Sequence, residues 1–181
     1  MPLSKSTPRE PLHTRTIECA GYRRADGLWD FDGRLTDIKA YDFTGRHRGA
    51  FKRGEPVHDM SIRLTLDDDF VVRDIEAVTD AAPFACCPDI APNLASVKGL
   101  RVDSGWSLGL RKRLRGVKGC THLSELLGRM GTVCYQTMLP LRRDRDATAA
   151  APPRLLDTCY AWRAAGPLIR DRYPDHYTGA G

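Results

Sequence analysis

"HDMSIRLTLDDDFVVRDIEAV", residues 58–78, decides the fold. In its first part His58, Met60, Ile62, Leu64 and Leu66 fall on one parity, and Asp59, Ser61, Arg63 and Thr65 on the other. Successive side chains of a strand point to opposite faces, so strict alternation predicts a strand with one packed face and one wet face. The acidic triplet at 67–69 supplies a turn, and "FVVRDIEAV" (70–78) returns as the antiparallel partner. The triplet lacks the longer ligand series, ending in glutamate, that a calcium loop needs.

Working towards the N-terminus, "TRTIECAGYRR" (14–24) is rich in β-branched and aromatic residues and reads as a strand, with "ADG" (25–27) as a turn. Residues 28–43 read as a strand, a bend at Gly33 and a second strand. The glycine-rich, basic stretch 44–56 reads as a loop. Towards the C-terminus, residues 89–98 form a short helix interrupted by Pro92, and "SLGLRKRLRGVKG" (107–119) fits a helix or a loop.

In "GVKGCTHLSELLGRM" (116–130) and beyond, Leu123, Leu126, Leu127, Met130, Cys134 and Met138 recur at helical steps and form one apolar face. Thr121 is the N-cap candidate, Glu125 follows in the first turn, and Pro140 closes the helix. The pattern predicts an α+β fold, an antiparallel β-sheet of three or more strands with helices packed on one face. Residues 1–13 read as a flexible lead-in, 14–141 as the core, 142–153 as a linker, and 154–181 as a segment whose Tyr160, Trp162 and Tyr173 dock it on the core.

The chain has 181 residues, with 41% hydrophobic and 28% charged residues, enough apolar material for a core without staples. No apolar run has the length of a membrane span and the N-terminal stretch has no signal-like apolar region, so a cytoplasmic protein is expected, with no membrane partner. The six cysteines then read as thiols. The net charge of +5 suits a small anionic substrate. The run "RKRLRGVK" (111–118) reads as a solvated loop, because a nucleic-acid binder would interleave more aromatics than Trp106. Nucleic acid is therefore not an expected partner, and a homo-oligomer stays open.

Three places concentrate reactive side chains: His58 at the start of the hairpin, Cys86 and Cys87 after it, and Cys120 with His122 at a helix start. His58 shares the packed parity of Met60 and Ile62. Asp59 faces the other way unless a bulge re-aims it. A helix N-terminus favours a thiolate at Cys120. Together His58, Cys86, Cys87, Cys120 and His122 form a candidate ligand set for zinc or iron. The metal-free alternative has His58, Asp59, Cys120 and His122 acting as base, nucleophile and proton shuttle. The bland reading of each is a buried thiol or a surface histidine. Arg23, Arg24 and Trp29 in "GYRRADGLWD" could rim a substrate pocket or form an ordinary hairpin surface.

"GYRRADGLWD", "PVHDMSIRLTLD", "GCTHLSELL" and "LLDTCYAWRAAGPLIRDRYPDHY" together resemble a bacterial domain-of-unknown-function family over nearly the whole chain. That resemblance implies a place in the breakdown of aromatic and acyl compounds, lignin fragments among them. The order of His58, the hairpin, Cys86 or Cys87, and Cys120 or His122 is also similar to the iron–sulfur cluster scaffold family. There His58 would stand where that family has an acidic ligand, although "ACCP" lacks the glycines beside its middle cysteine. The resulting expectation is a lyase or hydrolase acting on a small aromatic or acyl compound, for example by retro-aldol loss of formaldehyde. The alternative is a metal or iron–sulfur carrier.

Overall fold

The computed structural model describes residues 3–143 and 155–179. Six strands open the chain: β1 (His13–Arg23), β2 (Trp29–Lys39), β3 (Phe43–Gly45), β4 (Gly49–Phe51), β5 (Pro56–Leu66) and β6 (Val72–Ala81). β1, β2, β5 and β6 form one antiparallel sheet in the order β1-β2-β5-β6, and β3 pairs with β4 as a separate hairpin. A 3₁₀ segment (Cys87–Val97) follows, then α1 (Trp106–Leu114), a 3₁₀ turn (Gly116–Lys118) and α2 (Thr121–Arg143). The architecture is α+β, with the helices packed against one face of the sheet.

The alternation read from 58–66 holds along β5: Met60, Ile62, Leu64 and Leu66 are buried. β2 carries the same code, with Trp29, Phe31 and Leu35 inward. Gly33 does not bend the chain, because β2 runs unbroken through it. The glycine answers a different need. A Cβ there would meet Met130 Sδ at 2.8 Å and Leu126 Cδ1 at 3.1 Å, so its absence lets α2 cross close over the sheet. The stretch 44–56 is likewise not all loop, since it contains most of the β3–β4 hairpin.

α2 presents the expected apolar face: Leu123, Leu126, Leu127, Met130, Cys134 and Met138 are fully buried. The Trp106 indole N–H donates to the Leu127 carbonyl at 3.0 Å and ties α1 to α2. Two details differ from the sequence reading. The Cys120 carbonyl accepts the Ser124 amide at 2.9 Å, so the cap falls on Cys120, one residue before Thr121, and Glu125 lies beyond the first turn. The helix also continues through Pro140 to Arg143. A proline removes only one amide donor, which kinks a helix without having to end it. Most of the expected linker, residues 144–153, lies outside the described residues.

The chain divides into two compact units, Met1–Leu139 and Pro140–Gly181. The second contains α3 (Pro167–Arg172) flanked by short 3₁₀ turns, with the Trp162 and Tyr173 rings 5.8 Å apart. Among the described residues no helix is long and apolar enough to cross a membrane.

Leu126 is fully buried where α2 lies over Gly33. Leu126→Ala is expected to lower stability by about 2–5 kcal/mol, the usual cost of a core truncation that leaves a cavity. A denaturation midpoint that shifts at unchanged m-value would show it.

Candidate functional site: a buried carboxylate among three histidines

Strand register builds one polar row at the end of an apolar face. Arg15 on β1 pairs with Asp37 on β2, and Asp37 pairs with His58 on β5. The next inward row along the same strands is Ile17, Leu35, Met60 and Thr79. The start of α2 closes over the polar row with His122 and Glu125.

Asp37 is the centre. Its side chain is only 3% exposed. Oδ1 accepts from His13 Nε2 at 2.8 Å and Arg15 Nε at 2.9 Å, and Oδ2 accepts from Arg15 Nη2 at 2.7 Å and His58 Nδ1 at 3.0 Å. Burial alone would raise the carboxyl pKa. The hydrogen bonds from Arg15 and His13 outweigh it and hold the group well below the usual carboxylate range. Arg15 reaches on to Glu125 Oε2 at 2.6 Å, fastening β1 to α2.

His58 and His122 lie face to face, with ring centroids 3.8 Å apart and planes inclined by 31°. His122 Nε2 is 3.9 Å from Asp37 Oδ2, and His122 Nδ1 is 3.9 Å from Cys120 Sγ. Burial lowers the pKa of His58 despite the attraction of Asp37. Burial also lowers that of His122, and the neighbouring His58 and Arg15 charges add to the effect. Both rings are therefore neutral at pH 7. The Nδ1–H of His58 donates to the Asp37 carboxylate, which leaves Nε2 as the basic atom; among the described residues it has no hydrogen-bond partner.

These shifts make stability depend on pH. The folded pKa values lie below the ordinary imidazole value of about 6.5, so just below that pH the unfolded chain binds more protons than the folded one. Stability is expected to be full above pH ~6.5 and to fall as the pH drops below it. His122→Gln removes one of the two groups and should flatten that fall, as read from unfolding midpoints between pH 7.5 and pH ~5.

Of the residues singled out from sequence, His58, His122 and Cys120 come together. Asp59 does not join them. It points to the opposite face and makes a bidentate pair with Arg34 at 2.8 and 2.7 Å, as strand alternation requires. Asp37 takes the carboxylate position instead. Cys86 is exposed and Cys87 half-buried at the start of the 3₁₀ segment. Burial pushes the Cys87 thiol up, and Cys120 lies near enough for its charge to add to the rise. Arg23, Arg24 and Trp29 sit at the other end of the sheet. Trp29 and Asp37 are eight residues apart on one strand, about 26 Å at the rise of an extended chain. Trp29 is buried and donates to Asp68 at 2.9 Å, Arg23 pairs with Asp68 at 2.8 Å, and Arg24 pairs with Asp26 at 2.6 Å. They brace a hairpin and cannot line a pocket with His58.

The donor atoms of Asp37, His58 and His122 lie within 4.8 Å of one another, and among the described residues no cysteine joins a donor group of this kind. As placed, the group fits zinc or iron poorly. All four acceptor positions of Asp37 are taken, two of them by a guanidinium that repels a cation. Two imidazoles on one tetrahedral ion, with metal–nitrogen bonds of about 2.1 Å, would hold their ring centroids about 5 Å apart, wider than the 3.8 Å seen. The geometry is that of a hydrogen-bonded imidazole beside a second imidazole.

Asp37, His13 and Arg15 are the residues that sequence reading missed. Their signal is parity. Asp37 follows Trp29, Phe31, Gly33 and Leu35 on the packed side of β2, and Arg15 precedes Ile17 and Cys19 on that of β1. A bend assumed at Gly33 breaks the count before it reaches Asp37.

No curated protein and no solved structure matches the chain significantly. The family described as protein of unknown function, DUF2889, matches residues 13–136, from the first residue of β1 into α2, and so takes in every member of the polar row. The chain belongs to that family.

Proposed function

We propose that this protein is a small acid–base enzyme in which the Asp37–His58 pair moves a proton, with a lyase or hydrolase outcome on a small aromatic or acyl compound. The observation that carries the reading is the buried, ionised Asp37 hydrogen-bonded to His58 Nδ1. A carboxylate so held fixes the imidazole tautomer, orients the ring, and stabilises the imidazolium that forms when Nε2 takes a proton. Arg15 and His13 keep Asp37 from taking the proton itself. His122, stacked on His58, is placed to return a proton to the leaving group, and Cys120 stands beside it as a further acid or nucleophile.

One concrete reaction needs only these parts. His58 Nε2 removes the hydroxyl proton of a hydroxymethyl group, the carbon–carbon bond breaks, and formaldehyde leaves. The carbon that bore the group must lie next to a carbonyl, so that the electron pair is taken up as an enolate, and protonation of that carbon completes the cleavage. An association of this family of unknown function with the breakdown of aromatic and acyl compounds motivates the choice of compound, and the geometry motivates the choice of base.

The test is turnover by purified chain freed of metal with a chelator, offered hydroxymethylated aromatics and small acyl esters. Product from the metal-free sample is the expected result. No product from any of them, or product only after zinc or iron is added, would count against the proposal. The second reading, a metal or iron–sulfur carrier, draws on the scaffold likeness and on the shared reach of the Asp37, His58 and His122 donors. Elemental analysis showing one equivalent of bound metal, lost in His58→Ala, would favour it.

A further inference from the structure

The basic run 111–118 is not the solvated loop its composition suggests. It forms the end of α1 and the 3₁₀ turn that leads into α2. Between the two helices lies a groove of about 380 Å³, within the range of sites that take compact ligands, roughly 300–1,000 Å³. Ser107, Arg111 and Arg115, four residues apart, make its α1 wall. Thr121, Ser124 and Gly128, at steps of three and four, make its α2 wall. The buried Leu110 and Leu114 line it between them, and Gly119 closes it, since a Cβ there would overlap the Leu114 carbonyl.

Three observations give the groove a chemistry. First, no carboxylate lines it. The sequence has no acid between Asp103 and Glu125, and both of those are engaged elsewhere: Asp103 accepts from the Gly105 amide at 2.7 Å and Glu125 pairs with Arg15 at 2.6 Å. Second, its polar groups are unspent. Among the described residues Arg111 and Arg115 make no ion pair, and the hydroxyls of Ser107, Thr121 and Ser124 make no hydrogen bond. Arg113, from the same run, differs: its head donates to the carbonyls of Ser96 and Lys98 and so ties α1 to the preceding 3₁₀ segment. Third, Gly128 sits inside α2, where glycine is unfavourable. Packing accounts for Gly131, where a Cβ would meet the Trp106 indole at 2.7 Å, but a Cβ at Gly128 would have nothing within 4 Å. What the missing side chain of Gly128 keeps open is the groove.

We infer that this groove binds a small phosphate monoester, its phosphate held between Arg111 and Arg115 and bonded by the three hydroxyls, its organic part lying on Leu110 and Leu114 beside Gly128. Two guanidinium forks match a dianion with three acceptor oxygens, whereas a carboxylate would leave one of them uncompensated. The volume is more than a bare phosphate group fills, which favours an ester over the free ion. Cys120 also lines the groove, and its sulfur is 3.9 Å from His122 Nδ1, so the groove and the polar row share a side chain. The groove stands as a site whether or not His58 moves a proton. If both hold, the phosphate is the handle by which the substrate is held.

The test is a titration of isotopically labelled full-length chain with phenyl phosphate at pH ~7.5, where the phosphate is a dianion, followed by amide NMR. Saturable shifts at Gly119, Thr121 and Ser124 with a Kd of ~1 mM or lower are expected, with inorganic phosphate and benzoate each binding about tenfold more weakly. Arg111→Gln and Arg115→Gln, both at exposed side chains, should each weaken phenyl phosphate about tenfold. Lys112→Gln removes a neighbouring charge outside the groove and should leave the affinity unchanged, which separates a site from a diffusely basic surface. Gly128→Leu should also bind about tenfold more weakly, while its unfolding midpoint stays at or above that of wild type. His58→Gln should bind as wild type does, which keeps this site apart from the proton-transfer reading. The inference is overturned by shifts that do not saturate by ~20 mM or that centre elsewhere, by phenyl phosphate binding no tighter than inorganic phosphate, or by Lys112→Gln weakening binding as much as Arg111→Gln. Unchanged affinity in a folded Gly128→Leu would overturn it as well.

Discussion

Asp37→Asn is expected to destabilise the protein by about 3 kcal/mol or more at pH 7, although the change is nearly isosteric. The carboxylate is 3% exposed and accepts four hydrogen bonds, two of them from the cationic Arg15 and one each from His13 and His58. The amide cannot accept at its nitrogen and carries no charge, so the Arg15 guanidinium loses one of its two bonds to residue 37 and keeps Glu125 as its charged partner. Breaking a buried pair from one side costs more than the pair contributes, because the remaining charge is stranded. The sign of the pH dependence follows from the depressed carboxyl pKa. The contribution is present above the unfolded value of about 3.9 and is lost only as the pH falls below that, towards the folded value. The gap between wild type and variant should thus stay level from pH 8 to pH ~6.5, widen below it as the variant's His58 resists protonation further, and close in stronger acid. Urea unfolding of both proteins across that range is the measurement. A gap under ~0.5 kcal/mol at pH 7 would mean that the network does not hold the sheet end together.

The second large effect is on rate. If the proposed activity holds, His58→Gln should reduce kcat about 10²–10⁴-fold on any substrate the protein turns over, the range ascribed to a positioned base. Glutamine keeps most of the volume and can still donate to Asp37, so the fold should survive. It cannot take a proton. Because His58 has a lowered pKa, wild-type activity should hold at neutral pH and fall below pH ~6.5 as the imidazole becomes charged. Asp37→Asn removes the charge that favours the imidazolium, so whatever activity it keeps should titrate at a still lower pH. Equal kcat in wild type and His58→Gln would remove His58 from the chemistry and shift attention to Cys120 and His122.

The sequence carried the frame of this site better than its centre. Residues 58–66 announced the hairpin because alternation needs no tertiary context, and the leucines and methionines of α2 announced its buried face for the same reason. His58 could be placed inward by parity, and Cys120 with His122 at a helix start by their offset from Leu123. Asp37 could not be reached by reasoning about reactive clusters, since "TDIK" has no histidine or cysteine beside it. It becomes visible only when β2 is counted as one strand through Gly33. Whether that glycine bends a strand or admits a helix depends on Met130 and Leu126, nearly a hundred residues away. The bulges between Asp37 and Ile38 and between Asp59 and Met60 also set the local aim of the site, and they follow from pairing rather than from residue type.

The central claim is that Asp37 fixes His58 as a neutral imidazole with its proton on Nδ1 and a free lone pair on Nε2. Nitrogen-15 NMR of the histidine rings at pH 7 tests it most directly, with His58→Gln identifying the resonances. The expected result is one tautomer at His58, protonated at Nδ1 and unprotonated at Nε2, which changes form when Asp37 becomes asparagine. A His58 ring carrying its proton on Nε2, or fully charged at pH 7, would contradict the account.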